Sequence, residues 1–461
     1  MNIYQHVEHA ARELDSKLLI ATIAAARGHE VVVSDLESIE KGLRRGVLAP
    51  GIFHTKSLTP SVMKVIRHQT MIDNGSMITS IDEEGGLIEH GYDRSAKVRY
   101  SEQTIGQSSA VFGWGEEDVE VLKQFYPKHS SKIHKTGSPR ADLWKSLFSD
   151  YWGVPPGVPK KPYLLVVSNM SYANYQEPFH NIVASNRKGG HFQRDPKLFI
   201  KNFEVAAEDY LKTAAFIEAV QHLTKHNNGY DIVFRPHPNE SLESWKIYLE
   251  GIPNVHIIRE GSITAWVNNA FAIMHNSCTT ALEATVSEKP LITYIPFQQK
   301  HGYELPNGLG YCVKSKEELS NKVNNLFDVT RSDSNKKNVE KTLPKEVLKK
   351  IYLDRKELAA EKMIKIWENL AVDNNISSNS INWILFKLLL KLMKFNGMIG
   401  RILRSHSSGM IRPKKGNFKF PSLKKEDVCE RINRLKHILG IDEKIECKLL
   451  SDRTILIKRH K

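Results

Sequence analysis

The sequence has few cysteines, and none of them has a neighbour with which to form a motif. The four cysteines, Cys278, Cys312, Cys429 and Cys447, lie far apart in 461 residues, and no CxxC pair occurs. This spacing argues against a disulfide framework and against a zinc cage. A reducing, cytoplasmic compartment fits such cysteine usage best.

Long apolar runs are also missing. No stretch reaches the ~20 apolar residues that a membrane-spanning helix needs, so we expect no segment to cross a bilayer. The first residues, MNIYQHVEHAARELDSKLL, lack a basic segment followed by an apolar one. We therefore expect no signal peptide.

The main body of the chain lacks net charge, whereas its last part is basic. Residues 381–461 hold 20 of the 66 lysines and arginines but only 7 of the 52 acidic residues. Residues 1–380 hold the remaining 46 basic and 45 acidic residues. A basic tail favours an anionic surface, either lipid headgroups or nucleic acid.

Residues 1–155 alternate between short β-like runs and helical patterns. IYQHVE, HEVVVSD, SMITSIDEEG, SAVFGWG and KIHKTGSP are typical of strands, and LDSKLLIATIAAARGH is typical of a helix closed by Gly28. Strands and helices in this rhythm predict a parallel sheet covered by helices.

A second α/β series follows YWGVPPGVPKKP (151–162), whose proline and glycine content is typical of a linker. YLLVVSN, YDIVFRPHP, VHIIRE, AFAIMHNS and KPLITYIP predict strands, and NFEVAAEDYLKTAAFIEAVQHLTKH predicts a long amphipathic helix. Two Rossmann-like halves predict an α/β fold of the GT-B plan, with two lobes that face each other across a cleft. We predict an acceptor lobe at 1–155, a donor-nucleotide lobe at 156–330, a helical return segment at 331–380 and a basic, membrane-associating tail at 381–461.

The tail begins with a helical pattern, INWILFKLLLKLMKFNGMIGRILR. Lys387, Lys391, Lys394 and Arg401 share one helical face, and Trp and Leu side chains surround the rest. This arrangement favours a helix that lies in a membrane interface over one that binds nucleic acid, with a core helix as the alternative. FPSLKKEDVCERINRLKHILG, KIECKLL and RTILIKR then predict a small helix and a hairpin.

The motif RPHP, Arg235 to Pro238, follows the strand pattern DIVF. Ligands of open parallel sheets bind beyond the carboxyl ends of strands, where this motif is expected. Arg235 and His237 are a fixed cation and a tunable donor that suit phosphate oxygens. The alternative is a structural turn with a satisfied histidine.

The segment HNSCTTALEA, 275–284, follows another predicted strand and opens a helix. Its polar residues suit a helix N-terminus, whose free N–H groups and positive dipole end attract phosphate. Glu283, about one turn into the helix, is placed to accept hydrogen bonds from ribose hydroxyls. An ordinary N-cap is the alternative. The predicted nucleotide ligands are Arg235, His237, His275, Asn276, Ser277, Thr279, Thr280 and Glu283.

The segment IDEEGG, 81–86, places three acids and two glycines at the end of a predicted strand. Glycosyl transfer needs a carboxylate that deprotonates an acceptor hydroxyl or stabilises developing positive charge. Glu83 is the first candidate for this role, with Asp82 and Glu84 after it. The alternative is a solvated acidic turn. TGSPRADLW (136–144) and HTKSL (54–58) are each better explained as structural loops.

These motifs together resemble one family. VEHAARELDSKLLIATIAAARGHEVVVS, HTKSL, DEEGG, TGSPRADLW, RPHP and HNSCTTALEA occur in the order of bacterial surface carbohydrate biosynthesis proteins. That family is similar to the GT-B transferases of capsule and O-antigen assembly, including enzymes that use CMP-activated Kdo or nonulosonic acids such as pseudaminic acid. In those enzymes an HP motif and a later Ser/Glu helix hold the CMP. The resemblance therefore implies donor-site roles for Arg235, His237, Asn276, Ser277, Thr279 and Glu283.

The resemblance implies transfer of an acidic sugar from a CMP donor to a lipid-linked surface glycan, at the inner face of the cytoplasmic membrane. It implies no metal and no cofactor beyond the nucleotide-sugar substrate. Teichoic-acid polymerases look similar too, through GxPRxD (Gly137, Pro139, Arg140, Asp142) and the HP turn, but they carry a DYSS-type segment where this chain has HNSCTTALEA. A CDP-polyol phosphotransferase, a UDP-sugar enzyme such as a 2-epimerase, and a non-catalytic scaffold are the alternatives.

Overall fold

The computed structural model of the chain describes residues 1–85, 91–332, 343–354, 356–374, 381–408 and 419–460. The chain divides into a first unit, residues 1–143 with 344–461, and a second unit, residues 144–343. The predicted linker at 151–162 therefore lies within the second unit. Residues 344–380 of the predicted return segment, together with the tail, belong to the first unit.

The strands are short, and in chain order they are β1 (Asn2–His6), β2 (Glu30–Ser34), β3 (Ile52–Thr55), β4 (Met77–Ile81), β5 (Ser108–Gly113), β6 (Ile133–Lys135), β7 (Tyr163–Val167), β8 (Asp231–Arg235), β9 (Val255–Ile257), β10 (Ala272–His275), β11 (Leu291–Tyr294), β12 (Tyr311–Val313), β13 (Ile445–Ser451) and β14 (Thr454–Arg459).

Helices connect the strands, and in chain order they are α1 (Ala10–Ala26), α2 (Leu36–Arg44), α3 (Val62–Asp73), α4 (Tyr92–Arg99), α5 (Glu102–Gly106), α6 (Glu116–Phe125), α7 (Pro139–Asp142), α8 (Ser149–Trp152), α9 (Ser171–Asn174), α10 (Phe179–Lys188), α11 (His191–Arg194), α12 (Lys197–Lys225), α13 (Leu242–Tyr248), α14 (Ile263–Asn269), α15 (Thr280–Val286), α16 (Glu304–Asn307), α17 (Lys316–Ser332), α18 (Lys345–Lys350), α19 (Ala359–Asp373), α20 (Trp383–Ser408) and α21 (Lys425–Leu439). Single 3₁₀ turns occupy Pro127–Lys132 and Ser146–Phe148.

The sheet of the first unit has the strand order β13-β14-β2-β1-β3-β4-β5-β6. Strands β1 to β6 pair in parallel, as the alternation of strands and helices predicted. The C-terminal hairpin, also predicted, adds to this sheet because β14 runs antiparallel to β2. Apolar runs such as VVV in β2 are buried because helices cover the parallel strands.

The sheet of the second unit has the order β12-β11-β10-β7-β8-β9, and every pair in it is parallel. Numbered within the unit, this is the 3-2-1-4-5-6 order of the doubly wound Rossmann fold, read from the other edge. Its core includes side chains of β7, β8, β10, α12 and α17. Two parallel α/β units of this kind are the two components of the predicted GT-B plan, and the facing cleft stays a prediction.

The sequence left open whether α20, the first helix of the tail, lies in a membrane interface or in the core. Phe386, Leu389 and Leu390 are buried and pack with side chains of β1, β2 and α2. One face of α20 therefore belongs to the core of the first unit. Among the described helices, none has the length and apolar content needed to cross a membrane. Arg401 lies beyond the residues whose side chains are described.

Candidate functional site

The strand order of the second unit defines one switch point, between β7 and β10. In doubly wound sheets the connections from the two strands at a switch point run to opposite sides, and ligands bind in the crevice beyond the carboxyl ends of these strands. Three chain segments follow the strands that surround it: residues 168–171 after β7, 236–240 after β8 and 276–279 after β10. The predicted motifs RPHP and HNSCTT supply the second and third segments.

Residues 168–171 join the two predicted motifs. Asn169 donates from Nδ2 to the carbonyl oxygen of Ser277 at 2.6 Å. The hydroxyl of Ser168 accepts the backbone N–H of His237 at 3.3 Å, and the hydroxyl of Ser171 lies 3.3 Å from its Nδ1. The structure therefore brings His237 and Ser277 to one loop, which the sequence analysis had treated only as the end of a strand.

His237 is held as a neutral hydrogen-bond donor. Its Nδ1 accepts the backbone N–H of Asn239 at 3.2 Å, which assigns the ring proton to Nε2. Burial, and then the charge of Arg259, lower the pKa of His237. Among the described residues Nε2 has no hydrogen-bond partner, and the side chain is half-buried. This N–H is suited to a phosphate oxygen of a ligand.

Arg235 differs from its predicted role. Its two terminal nitrogens donate to the carbonyl oxygens of Glu260 and Gly261 at 2.7 and 2.9 Å, and its guanidinium lies over the ring of Trp266. Burial lowers the pKa of Arg235 to about 10, so it stays charged at neutral pH. A phosphate contact would require these hydrogen bonds to break, so this geometry does not favour the predicted role, which stays a prediction.

Glu240 fixes the loop after β7 against the turn after β8. Its carboxylate accepts hydrogen bonds from Ser168 Oγ at 2.6 Å, the backbone N–H of Met170 at 2.7 Å and Trp245 Nε1 at 2.6 Å. It is fully buried, and burial raises its pKa. The sequence analysis missed Glu240, although its position directly after RPHPN was a usable signal.

Ser277 is the centre of the loop after β10. Its φ of 52° lies in the left-handed region, which a non-glycine residue adopts only when its surroundings hold it there. Asn307 accepts the Ser277 N–H at 2.6 Å and donates to its Oγ at 2.9 Å, and the backbone N–H of Tyr303 donates to the same Oγ at 3.1 Å. Helix α16 and its N-cap residue Tyr303, which lie between β11 and β12, thus position Ser277.

His275 and Asn276 hold this loop through contacts with β11. His275 is fully buried, its Nε2 lies 2.9 Å from Thr293 Oγ1, and burial lowers its pKa to about 3. Asn276 is also buried and donates from Nδ2 to the carbonyl of Tyr294 at 2.7 Å. The structure gives both residues internal contacts, so their predicted ligand contacts stay a prediction.

The start of α15 leaves Thr279 at the surface. Thr279 is the N-cap residue and makes no side-chain capping hydrogen bond, contrary to the capping role expected for these polar residues. Thr279 is exposed and Thr280 is half-buried, whereas Glu283 is buried. The hydroxyl of Thr279 is therefore available to a ligand, and the ribose contact of Glu283 stays a prediction.

The acids of DEEGG lie after β4 in the first unit, and all three form ion pairs. Lys17 donates from Nζ to Glu83 at 2.6 Å, with only 1% and 3% of the two side chains exposed. Asp82 accepts two hydrogen bonds from Arg99, one from Nη2 at 2.6 Å. Glu84 is 46% exposed and pairs with Arg12 at 3.2 Å and with Arg99 at 2.9 Å.

This network changes the order of the three candidates. Burial opposes ionisation of Glu84, but Arg99 and Arg12 outweigh it and lower its pKa. Glu84 is therefore an exposed, ionised carboxylate. Glu83, the first candidate from the sequence, sits in a buried ion pair that suits holding the loop, and its catalytic role stays a prediction.

A lysine of α3 contacts the segment HTKSL in the first unit. Lys64, on α3, donates to the carbonyl oxygen and to Oγ of Ser57 at 2.8 and 3.2 Å. Burial and the charge of Lys56 lower its pKa to about 8, although nearby Asp82 opposes the shift. The sequence analysis did not identify Lys64, because no pattern around it marked it out.

TGSPRADLW makes structural contacts in the first unit, and its interpretation as a structural segment stays a prediction. The φ of Gly137 is 81°, and a Cβ at this position would overlap the carbonyl oxygen of Tyr352. Asp142 accepts the backbone N–H of Ala359 at 2.6 Å and so caps the start of α19. Within the described ranges no cluster of His, Cys, Asp and Glu has the size to hold a metal ion.

No protein-family model matches the chain, and no curated protein matches its sequence. Solved structures with a similar fold match the chain at low sequence identity and with TM-scores below 0.5. UDP-GlcNAc 2-epimerase from Methanocaldococcus jannaschii matches at 13% identity and a TM-score of 0.48, over 80% of this chain and 99% of that chain. The Neisseria meningitidis UDP-GlcNAc 2-epimerase, bound to UDP-GlcNAc, matches at 11% identity and 0.41, over 81% and 100%. Wall teichoic acid polymerase TagF matches at 9% identity and 0.46, over 81% and 88%. The α/β assignment rests on the two sheets themselves.

Proposed function

We propose that the second unit binds a nucleotide-activated sugar at its switch point and that the protein is a glycosyltransferase. One observation supports this most: the loop after β7 contacts both His237 and Ser277, beyond the carboxyl ends of β7, β8 and β10. Ligands of doubly wound sheets bind at this place. The site presents uncharged donors rather than a ring of acids, which suits an anionic ligand.

The proposed role of these donors is to hold the phosphate of the leaving nucleotide. The Nε2–H of His237 and the hydroxyl groups of Ser171 and Thr279 are the groups that we assign to phosphate oxygens. Arg259, whose Nη2 donates to the carbonyl oxygen of Glu240, adds a fixed positive charge beside His237. Donors that are already oriented stabilise the charge that develops on a leaving phosphate.

For the donor we propose a CMP-linked acidic sugar, Kdo or a nonulosonic acid. The support is the order of the sequence motifs, above all Pro236-His237-Pro238 followed by Ser277 and Glu283. For the base that activates the acceptor we now propose Glu84, because it is the exposed, ionised acid of its loop. We propose a lipid-linked glycan as the acceptor and the inner face of the cytoplasmic membrane as the place of work.

A donor panel tests the nucleotide. Thermal unfolding would be followed with CMP, CMP-Kdo, a CMP-nonulosonate, CDP-glycerol, UDP-GlcNAc and a GDP-sugar. A ligand at a hundred times its Kd stabilises the folded state by about 2.7 kcal/mol. We expect a shift with the CMP compounds. A shift with UDP-GlcNAc alone would point to the epimerase alternative, and a shift with CDP-glycerol alone would point to the phosphotransferase alternative. If none of the compounds shifted the unfolding temperature, the result would support a scaffold.

A matched pair of variants tests the site. His237→Ala removes a donor to a charged phosphate and is expected to weaken nucleotide binding about tenfold or more. His226→Ala is the control, because His226 is exposed at the end of α12 in the same unit. Equal affinity of the two variants would contradict the proposed site.

A further inference from the structure

Helix α20 presents a surface that its core contacts do not use. Between Trp383 and Asn396 the buried side chains, Phe386, Leu389 and Leu390, lie within about a third of the helix circumference at 100° per residue. Trp383 and Met393 also pack against this core, and the remaining circumference faces away from it. Its composition is not that of an ordinary solvated helix.

One half of this outer surface is apolar. Ile384, Leu388, Leu392 and Phe395 are 81%, 51%, 48% and 54% exposed. Their spacing of i, i+4, i+8 and i+11 aligns them in one stripe along the helix. Single exposed apolar residues are common on protein surfaces, but a contiguous stripe marks an interaction site.

The other half of the outer surface is basic. Lys387, Lys391 and Lys394 lie side by side at i, i+4 and i+7, between the apolar stripe and the edge of the core contacts. Lys394 pairs with Asp452 at 2.8 Å. Lys387 and Lys391 have no acidic partner among the residues that the structure describes. Two lysines are therefore left to meet an external negative charge.

We propose that this surface, the α20 face, docks onto the headgroup and upper acyl region of an anionic lipid bilayer. Buried apolar area and attraction to anionic lipid together determine the binding of such interfacial helices. The lysine row argues for lipid over a protein partner, because a membrane offers negative charge along the whole length of the row. The inference goes beyond donor binding and uses none of the residues of the donor site.

The α20 face also differs from the other exposed apolar stripe of the chain. Ile200, Phe203, Tyr210 and Leu211 on α12 are exposed at helical spacing too. On that helix Glu204 and Glu208 lie on the neighbouring positions, so the surface offers no row of cations. The α12 stripe is therefore a control with the same number of exposed large side chains and with acidic as well as basic neighbours.

Vesicle flotation tests the proposal. The full chain is expected to float with vesicles of phosphatidylcholine and 30% phosphatidylglycerol, and to float poorly with phosphatidylcholine alone. The variant I384Q/L388Q/L392Q/F395Q should lose flotation, whereas I200Q/F203Q/Y210Q/L211Q should retain it. K387Q/K391Q should weaken the partition to anionic vesicles about 25-fold, at about fivefold per lysine.

Two outcomes would overturn the proposal. Flotation of the α20 variant like wild type would place any lipid contact elsewhere. A dimer in light scattering that the α20 substitutions dissolve, without flotation of the wild type, would show that a second copy occupies the face. Nucleotide-induced thermal shifts, measured on the same variants, report the donor site separately, so loss of flotation with an intact shift separates this inference from the proposed function.

Discussion

Replacement of Glu83 by glutamine distinguishes a carboxylate that stabilises the fold from a catalytic carboxylate. Glu83 and Lys17 are separated by 2.6 Å, with 3% and 1% of their side chains exposed. Removal of one partner from a buried ion pair leaves the other charge without compensation and costs about 3–5 kcal/mol. Glutamine keeps one acceptor for Lys17, so we expect a loss near the lower end, about 3 kcal/mol, in the free energy of unfolding.

Urea denaturation of wild type and variants measures this loss. Glu84→Gln is the control, because Glu84 is 46% exposed and its ion pairs should contribute about 1 kcal/mol or less. Lys17→Met/Glu83→Leu replaces the pair by apolar groups and should recover most of the stability. The reasoning is refuted if Glu83→Gln unfolds at the wild-type urea concentration but abolishes transfer, since Glu83 would then act on the substrate.

Three further predictions concern single residues. Gly137→Ala should destabilise the first unit by about 2 kcal/mol or more in denaturant unfolding, because it combines a left-handed φ with an overlap. Gly28→Ala, with a similar φ and no heavy atom within 4 Å, should cost about 1 kcal/mol. His275 takes up a proton near pH 6.5 when unfolded but only near its pKa of about 3 when folded. Stability should therefore fall as pH drops below 6.5, and His275→Gln should flatten the decline measured between pH 6.5 and 4.5 by up to about 1.4 kcal/mol per pH unit. Asn307→Ala, which removes two hydrogen bonds to Ser277, should weaken nucleotide binding in titration calorimetry about tenfold, with little change for Asn325→Ala, an exposed residue of α17.

Local patterns predicted much of the fold because strands β1 to β12 pair in parallel and most of them are buried. Runs such as VVVS in β2 and YLLVV in β7 carry the signal within a few residues. The pairing of β14 with β2 joins segments that are more than four hundred residues apart, and no local pattern encodes it. The predicted hairpin was confirmed, but its membership of the first sheet needed the structure.

The sequence predicted which motifs form the candidate site, but it did not predict the contacts of the individual side chains. His237 and the Ser277 segment do meet one loop, because strand ends in parallel sheets share an edge. The direction of Arg235 depends on where residues 260 and 261 pass, which its own neighbours in sequence do not determine. Asn169 was missed because one polar residue after an apolar strand is too common to be informative.

The pairing of β14 with β2 has a consequence for biosynthesis. Until residues 454–459 leave the ribosome, the edge of β2 has no partner, and unpaired strand edges are sites of intermolecular association. The whole second unit is translated in the interval. A nascent chain therefore carries an open sheet edge while the whole second unit is made, and this edge is the place where we expect association between nascent chains.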